Sequence, residues 1–178
     1  MRYILQGETS SRILFREIQE TDYASWLPFF ENPYTREHWI ADYDTPEKEC
    51  KKWYARQKKR YDLDEGGMNV LVERESGALI GHCGLLVQQV DGHKELEIGY
   101  SLLPQFWNKG YATEAALKCR DVAFEKRYAP SLISIISLSN VPSQQVALKN
   151  GMKKDAHTTY RNNPVYIFRI THSQWSKL

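Results

Sequence analysis

The sequence predicts a mixed α/β fold, a sheet covered by helices, and three observations carry that expectation. Residues 68–103 read as a three-strand antiparallel meander turning at Ser76-Gly77 and Asp91-Gly92; Asp-Gly between β-like runs is a strong hairpin signal. A helix over 111–126 follows, with Ala112, Ala115, Ala116, Cys119 and Ala123 as a small-residue stripe that lets it lie close to a sheet. A strand over 131–139, apolar on much of both faces, then leads into a short helix over 140–151. A meander followed by a β-α-β passage implies a mixed sheet rather than a regularly alternating one.

The other elements complete the order. "SRILFREI" (11–18) roughly alternates Ile13, Phe15 and Ile18 against Arg12 and Arg16, as a strand does. "ETDYASWLPFF" (20–30) reads as a helix capped by Thr21 or Asp22, with Tyr23, Trp26 and Leu27 on its apolar face; Pro33 interrupts. Residues 44–61 form a second helix: Thr45 caps it, Pro46 suits its first turn, and Glu47 and Glu49 favour the positive end of its dipole. A loop covers 63–67, Pro142 and Gly151 bracket the 140–151 helix, and 153–171 closes as two strands around Asn162-Asn163-Pro164. The order is β-α-α-β-β-β-α-β-α-β-β, expected as one domain over 1–178 with its core over about 11–173.

Composition excludes several classes. A net charge of +2 lacks the basic bias of a nucleic-acid-binding domain, so no nucleic acid is expected. No run of ~18 apolar residues is present to span a bilayer, so no membrane is expected either. Cys50, Cys83 and Cys119 are scattered without C-x-x-C spacing, which argues against a disulfide framework and against a zinc site. With no long apolar leader at the N-terminus, a reducing cytoplasm is the default location, and no metal is expected.

The stretch "FWNKGYATEA" (106–115) raises a chemical question. A helix that starts at a glycine-bearing loop offers unpaired N–H groups and a positive dipole end, which suit a phosphate. Gly110 lets a ligand approach the backbone, Ala112 keeps the first turn uncluttered, and Lys109 adds a cation. Neither G-x-x-x-x-G-K-[ST] nor G-x-G-x-x-G occurs. An ordinary loop with packed alanines accounts for the same residues. A second candidate is Asn140 at a strand end with Ser143 three residues on, where local capping is the competing account.

Three blocks carry a family resemblance. "EIGYSLLPQFWNKGYATEA" is similar to E-I-G-Y-x-L-x-P-x-x-W-G-K-G-Y-A-T-E-A, "NVPSQQVALKNGM" to N-x-x-S-x-x-V-x-x-K-x-G-F, and "SRILFREIQETDY" to R-L-x-L-R-x-x-x-x-x-D. The chain thus resembles the GNAT superfamily of acyl-CoA-dependent N-acyltransferases, in particular the branch acetylating ribosomal-protein N-termini. The resemblance implies the GNAT fold, acetyl-CoA as cosubstrate and an amine acceptor, in a monomer or homodimer. It places Trp107, Asn108, Lys109, Gly110, Tyr111, Ala112 and Thr113 around the cofactor's diphosphate and backbone groups near Leu102, freed by a bulge, along its pantetheine arm. It puts Asn140 against the cofactor where two strands splay, and Ser143 near the thioester sulfur. Asn108 and Met152 depart from the usual glycine and phenylalanine, and Ala147 stands where many members carry a tyrosine proton donor.

Acyl transfer to an amine needs a neutral nucleophile, an oxyanion donor and a proton for the thiolate. By alternation Glu95, Glu97 and Gly99 share one strand face, and Glu97, matching the family's glutamate, is the candidate base; solvation of both glutamates is the competing account. Ser143 is the local candidate for protonating the thiolate. His82 and Cys83 are adjacent on a strand, so they face opposite ways and cannot act together; Glu114 supports its helix's first turn. The acceptor pocket is expected among Trp26, Phe30, Tyr34, His38 and Trp39, some of which plain core packing also explains. The expected activity is direct acetyl transfer in a ternary complex. The rivals are a non-catalytic acyl-CoA sensor and a nucleotide-dependent transferase.

Overall fold

The computed structural model describes residues 3–178. Strand β1 (Ile13–Arg16) leads through a 3-10 turn to helices α1 (Tyr23–Glu31) and α2 (Pro46–Asp62). The meander is β2 (Gly66–Glu73), β3 (Leu79–Val90) and β4 (His93–Leu102). Helix α3 (Tyr111–Glu125), strand β5 (Ser131–Ser137) and helix α4 (Val141–Lys149) follow. Strands β6 (Lys153–Tyr160) and β7 (Asn163–Thr171) and the short α5 (His172–Trp175) complete the chain. The strands form one seven-stranded sheet in the order β1-β2-β3-β4-β5-β7-β6.

Side-chain alternation decides what covers each face of this sheet. Along β4, Leu96, Ile98 and Leu102 enter the core built with α3, α4 and Trp175 of α5. The alanine stripe behaves as its size requires: Ala115, Ala116, Cys119 and Ala123 are fully buried in that layer, and Cys119 Sγ lies 3.5 Å from Cys83 Sγ with both thiols free. On the other face α1 and α2 bury Trp26, Phe30, Cys50 and Tyr54 beside Val70 of β2. His82 and Cys83 diverge as expected: Cys83 joins the α3 layer, while the His82 ring lies 4.3 Å from that of Trp26.

Several local expectations change. Asp22 does not cap α1; its carboxylate takes a two-pronged pair from Arg16 at 2.6 and 2.8 Å and the Gln19 N–H at 2.7 Å. A charged fork recruits an aspartate more strongly than a helix end does. Of the expected Asn162-Asn163-Pro164 turn only Asn162 holds: the last hairpin turns at Arg161-Asn162, with φ of 48° and 62°, and Asn163 and Pro164 already belong to β7. Two consecutive positive φ values are what a two-residue hairpin turn requires. Helix α5 was not anticipated; a capping box between Thr171 and Gln174 nucleates it.

One feature of the sheet positions everything else. Strands β4 and β5 run parallel yet pair at a single register point, Glu97 opposite Ile133. Beyond it side chains take the ladder's place: Ser134 Oγ donates to the Ile98 carbonyl at 2.9 Å, and the Ile135 N–H donates to Glu97 Oε1 at 3.4 Å. The C-terminal halves of the two strands therefore separate and leave a gap.

Candidate active site

The gap opens into a cleft of about 610 Å³ between the sheet, α1 and α2. Glu97 stands at its root. Its Oε2 accepts from Gln88 Nε2 at 2.6 Å and its Oε1 from the Ile135 N–H, so the side chain is fixed and half-buried at the cleft wall. Burial raises its pKa above the ordinary carboxylate value, against those two hydrogen bonds and the positive fields of Arg60 and Arg161. Its strand neighbour Glu95 has a different fate, held by Arg169 at 2.9 and 3.0 Å.

Across the gap, Asn140 caps α4: its Oδ1 accepts from the Ser143 N–H at 3.1 Å. The Ser143 carbonyl accepts from the Tyr100 hydroxyl at 2.9 Å, which ties β4 to the first turn of α4 where their backbones no longer meet. Asn140, Ser143 and Glu97 line the same cleft.

Just past β4 the Leu103 N–H donates to the Ile80 carbonyl of β3, so by alternation the backbone groups of Leu102 face the opposite edge, toward the gap. The Leu102 carbonyl is taken by Trp107 Nε1 at 2.8 Å, which folds the indole back onto the strand end. The bulge expected near Leu102 is absent. The β3–β4 register runs unbroken from Gly81–Leu102 to Val90–His93, and the divergence of β5 frees the edge instead.

The loop before α3 has the backbone of an anion cradle. Asn108 adopts φ 58° and Gly110 φ 83°, so Asn108 tolerates the left-handed conformation at the position where the family usually has glycine. Gly110 is the N-cap residue and supplies no capping side chain, so the first N–H groups of α3, on Tyr111, Ala112 and Thr113, have no cap. Arg12, which no motif identified as part of this loop, organises it: it donates to the Lys109 carbonyl at 3.0 Å and to Glu114 at 2.7 Å, and lies 4.2 Å over the Tyr111 ring. Glu114 thus buttresses the first turn. The Lys109 ammonium sits 5.5 Å over the Phe106 ring. Gly110 and Thr113 line a pocket of their own with Ser10, Lys118 and Lys149.

The acceptor-pocket expectation divides. Phe30 and Trp39 line the cleft. Trp26 does not: it is 0% exposed, stacked 4.3 Å from Phe29 at the centre of the α1–α2 layer, because an inward-facing helix position buries a large ring. Tyr34 is 65% exposed and lies outside the cleft. His38 is also outside; its Nδ1 pairs with Ser139 Oγ at 3.0 Å and ties the segment after α1 to the end of β5. Sequence reasoning missed the polar walls, Arg56, Gln57 and Arg60 of α2 with Gln88, Tyr160 and Arg161. The i, i+4 spacing of Arg56 and Arg60 was visible but reads as an ordinary solvated face. Asn163 closes the site, donating to the Ile40 carbonyl at 3.0 Å and accepting from the Ile40 N–H at 2.7 Å.

Comparison with known proteins agrees with this architecture. The family model described as an acetyltransferase (GNAT) domain matches residues 12–153, and the chain belongs to that family; it is an N-acetyltransferase. Among curated relatives, YkkB of Bacillus subtilis, uncharacterized, is 27% identical, covering 89% of this chain and 92% of its own. YnaD of the same organism, named as an uncharacterized N-acetyltransferase, is 29% identical over 83% of this chain and 82% of its own. An acetyltransferase from Agrobacterium tumefaciens superposes with a TM-score of 0.79 at 24% identity, covering 96% of both chains. A putative ribosomal-protein-serine acetyltransferase from Vibrio cholerae gives 0.76 at 19%, covering 96% of this chain and 99% of its own. A spermidine N-acetyltransferase from Vibrio cholerae, solved with CoA and spermine, gives 0.73 at 16%, covering 94% and 99%. The family recognised from the motifs stands, and the fold is shared with a ribosomal-protein-serine acetyltransferase of the branch they suggested.

Proposed function

We propose that this N-acetyltransferase acts as one domain and moves acetyl from acetyl-CoA to a primary amine, of a protein N-terminus or a small molecule, by direct attack in a ternary complex. The observation that carries the proposal is the gap between β4 and β5, with Glu97 at its root and α3's uncapped N-terminus beyond the end of β4. The diphosphate would sit on the N–H groups of residues 108–113, and the pantetheine arm would pair with the β4 edge at Leu102 like an added strand. That arrangement would aim the thioester between the diverging strands, beside Asn140 and Ser143. Two fold neighbours support the cofactor assignment: a RimL acetyltransferase in complex with coenzyme A and the spermidine enzyme with CoA.

Glu97 would take the proton of the attacking ammonium, directly or through water. A base works best when its pKa lies near the working pH, and burial moves Glu97 in that direction. Attack forms the amide C–N bond through a tetrahedral oxyanion that a β4-edge N–H would stabilise. The C–S bond then breaks, and the thiolate is protonated by Ser143 or by water. Among the described residues no cysteine lines the cleft, so a covalent acetyl-enzyme has no thiol nucleophile there. Among the described residues no helix is long and apolar enough to cross a membrane. The test is CoA release from acetyl-CoA across a panel of amines, with acetyl-CoA binding followed by calorimetry. Tight binding without release from any amine would convert the reading into the sensor.

A further inference from the structure

The acceptor end of the cleft carries an uncompensated positive charge. Arg56 projects from α2 and, among the described residues, makes no hydrogen bond or ion pair. Arg161 sits at the β6–β7 turn with its guanidinium 5.2 Å from the Tyr160 ring and has no carboxylate partner among the described residues. Arg60 lies deeper, donating to the carbonyls of Glu65 and Val87 and to Gln88 Oε1; backbone oxygens satisfy its donors but do not neutralise its charge. Arg56 and Arg161 stand exposed on the open side of the cleft, and partial burial with the like charges of Arg161 and Arg60 lowers the Arg56 pKa, so the three guanidiniums feel one another. The carboxylates on hand do not answer them. Glu49 is held by Lys52 at 3.0 Å, Asp42 is exposed to screening water, and Glu97, when ionised, offsets one guanidinium of the three.

Like-charged arginines converging in a cleft without counter-ions are stabilised by an anionic ligand that pairs with both. The Gly110 loop lines a different pocket, so this charge is separate from the cradle assigned to the cofactor diphosphate.

We infer that the acceptor is a small primary amine bearing an oxyanion, a carboxylate or a phosphate, which Arg56 and Arg161 grip while the amine reaches Glu97. This rests on the acetyl-transfer reading. A cleft of about 610 Å³ holds a small molecule of that kind. It disfavours polyamines, whose second and third ammonium groups would meet the arginines.

The experiment measures CoA release and, separately, calorimetric binding in the presence of CoA. The probes are O-phosphoethanolamine against ethanolamine, 4-aminobutyrate against butylamine, and spermidine. At least one anionic amine is expected to exceed its uncharged counterpart about tenfold or more in kcat/KM, and which one does so separates phosphate from carboxylate. Arg56→Gln and Arg161→Gln are expected to erase the preference through KM while acetyl-CoA affinity, which reports the fold, stays unchanged. Equal or better turnover of the uncharged amines or spermidine overturns the inference and leaves acetyl transfer standing. Oxyanion-dependent binding that the variants lose, without any CoA release, upholds the arginine grip but sinks acetyl transfer, and with it the ligand's role as acceptor. Failure of both anionic amines to bind at millimolar concentration overturns it.

Discussion

Gln88 Nε2 donates to Glu97 Oε2 at 2.6 Å, and the orientation of that amide is set from its other end. Gln88 Oε1 accepts from Arg60 at 3.2 Å and from the Tyr160 hydroxyl at 2.8 Å, which leaves only the nitrogen to face the glutamate. The donor favours ionised Glu97, whereas burial favours the neutral acid and prevails.

The pH profile follows from that balance. Glu97 is active as a base only above its raised pKa, so the acid limb of kcat/KM is expected above the ordinary carboxylate value. Gln88→Met removes a charge-assisted donor of about 1.5–3 kcal/mol, and the limb is expected to move up by roughly one pH unit or more. Glu97→Gln is expected to flatten the limb and lower the plateau. An unchanged profile in Glu97→Gln would take the residue out of the chemistry.

Gly110→Ala tests the cradle. A left-handed φ of 83° costs a non-glycine residue about 1 kcal/mol, and the new Cβ would meet Arg12 Nη2 at 3.4 Å beside the uncapped N–H groups. The expected result is roughly a tenfold rise in the acetyl-CoA Kd by calorimetry, with kcat little altered once the cofactor is saturating. An unchanged Kd would put the diphosphate elsewhere.

Ser143→Ala separates local capping from catalysis. The cap uses the serine's N–H and the Asn140 side chain, which survive the substitution, so the melting temperature is expected to hold. If the hydroxyl protonates the thiolate, kcat is expected to fall by about 10² at unchanged acetyl-CoA affinity. An unaltered kcat assigns that proton to water.

Acid stability reports on His82. Its ring is fully buried among Trp26, Trp53 and Tyr54, neither nitrogen has a hydrogen-bond partner among the described residues, and burial lowers its pKa to about 3. The unfolded chain takes up a proton near pH ~6.5 that the native state refuses, so stability is lost as pH falls from that value toward about 3. Between about pH 7.5 and pH 5 the loss amounts to at most about 2 kcal/mol. His82→Leu is expected to reduce the acid-side drop in thermal midpoint; a parallel drop in both proteins would place the acid sensitivity in other groups.

Two tryptophans from one stretch of sequence are expected to separate by stability. Trp26→Ala opens a cavity at the centre of the α1–α2 layer and is expected to cost about 3–5 kcal/mol in urea denaturation. Trp39→Ala, on the cleft wall, is expected to cost about 1 kcal/mol and to act on the acceptor KM.

What the sequence determined by itself is the local chemistry. Alternation along 93–102 placed Glu97 opposite the core, the Asp91-Gly92 pair specified its hairpin, and the motif at 107–113 marked a glycine-opened helix, because each depends on neighbours a few residues apart. Trp26 and Trp39 could not be told apart in this way, since aromatic character is the same in a core and at a cleft wall. Tertiary structure alone decided the splay of β4 from β5, the clamp of Arg12 on the 109–114 segment, and the placing of Arg56 and Arg161 on one cleft from segments over 100 residues apart. The physical reason is that burial, electrostatic field and the pairing of backbone groups belong to a place in space, and only the folded sheet brings those distant residues to one place.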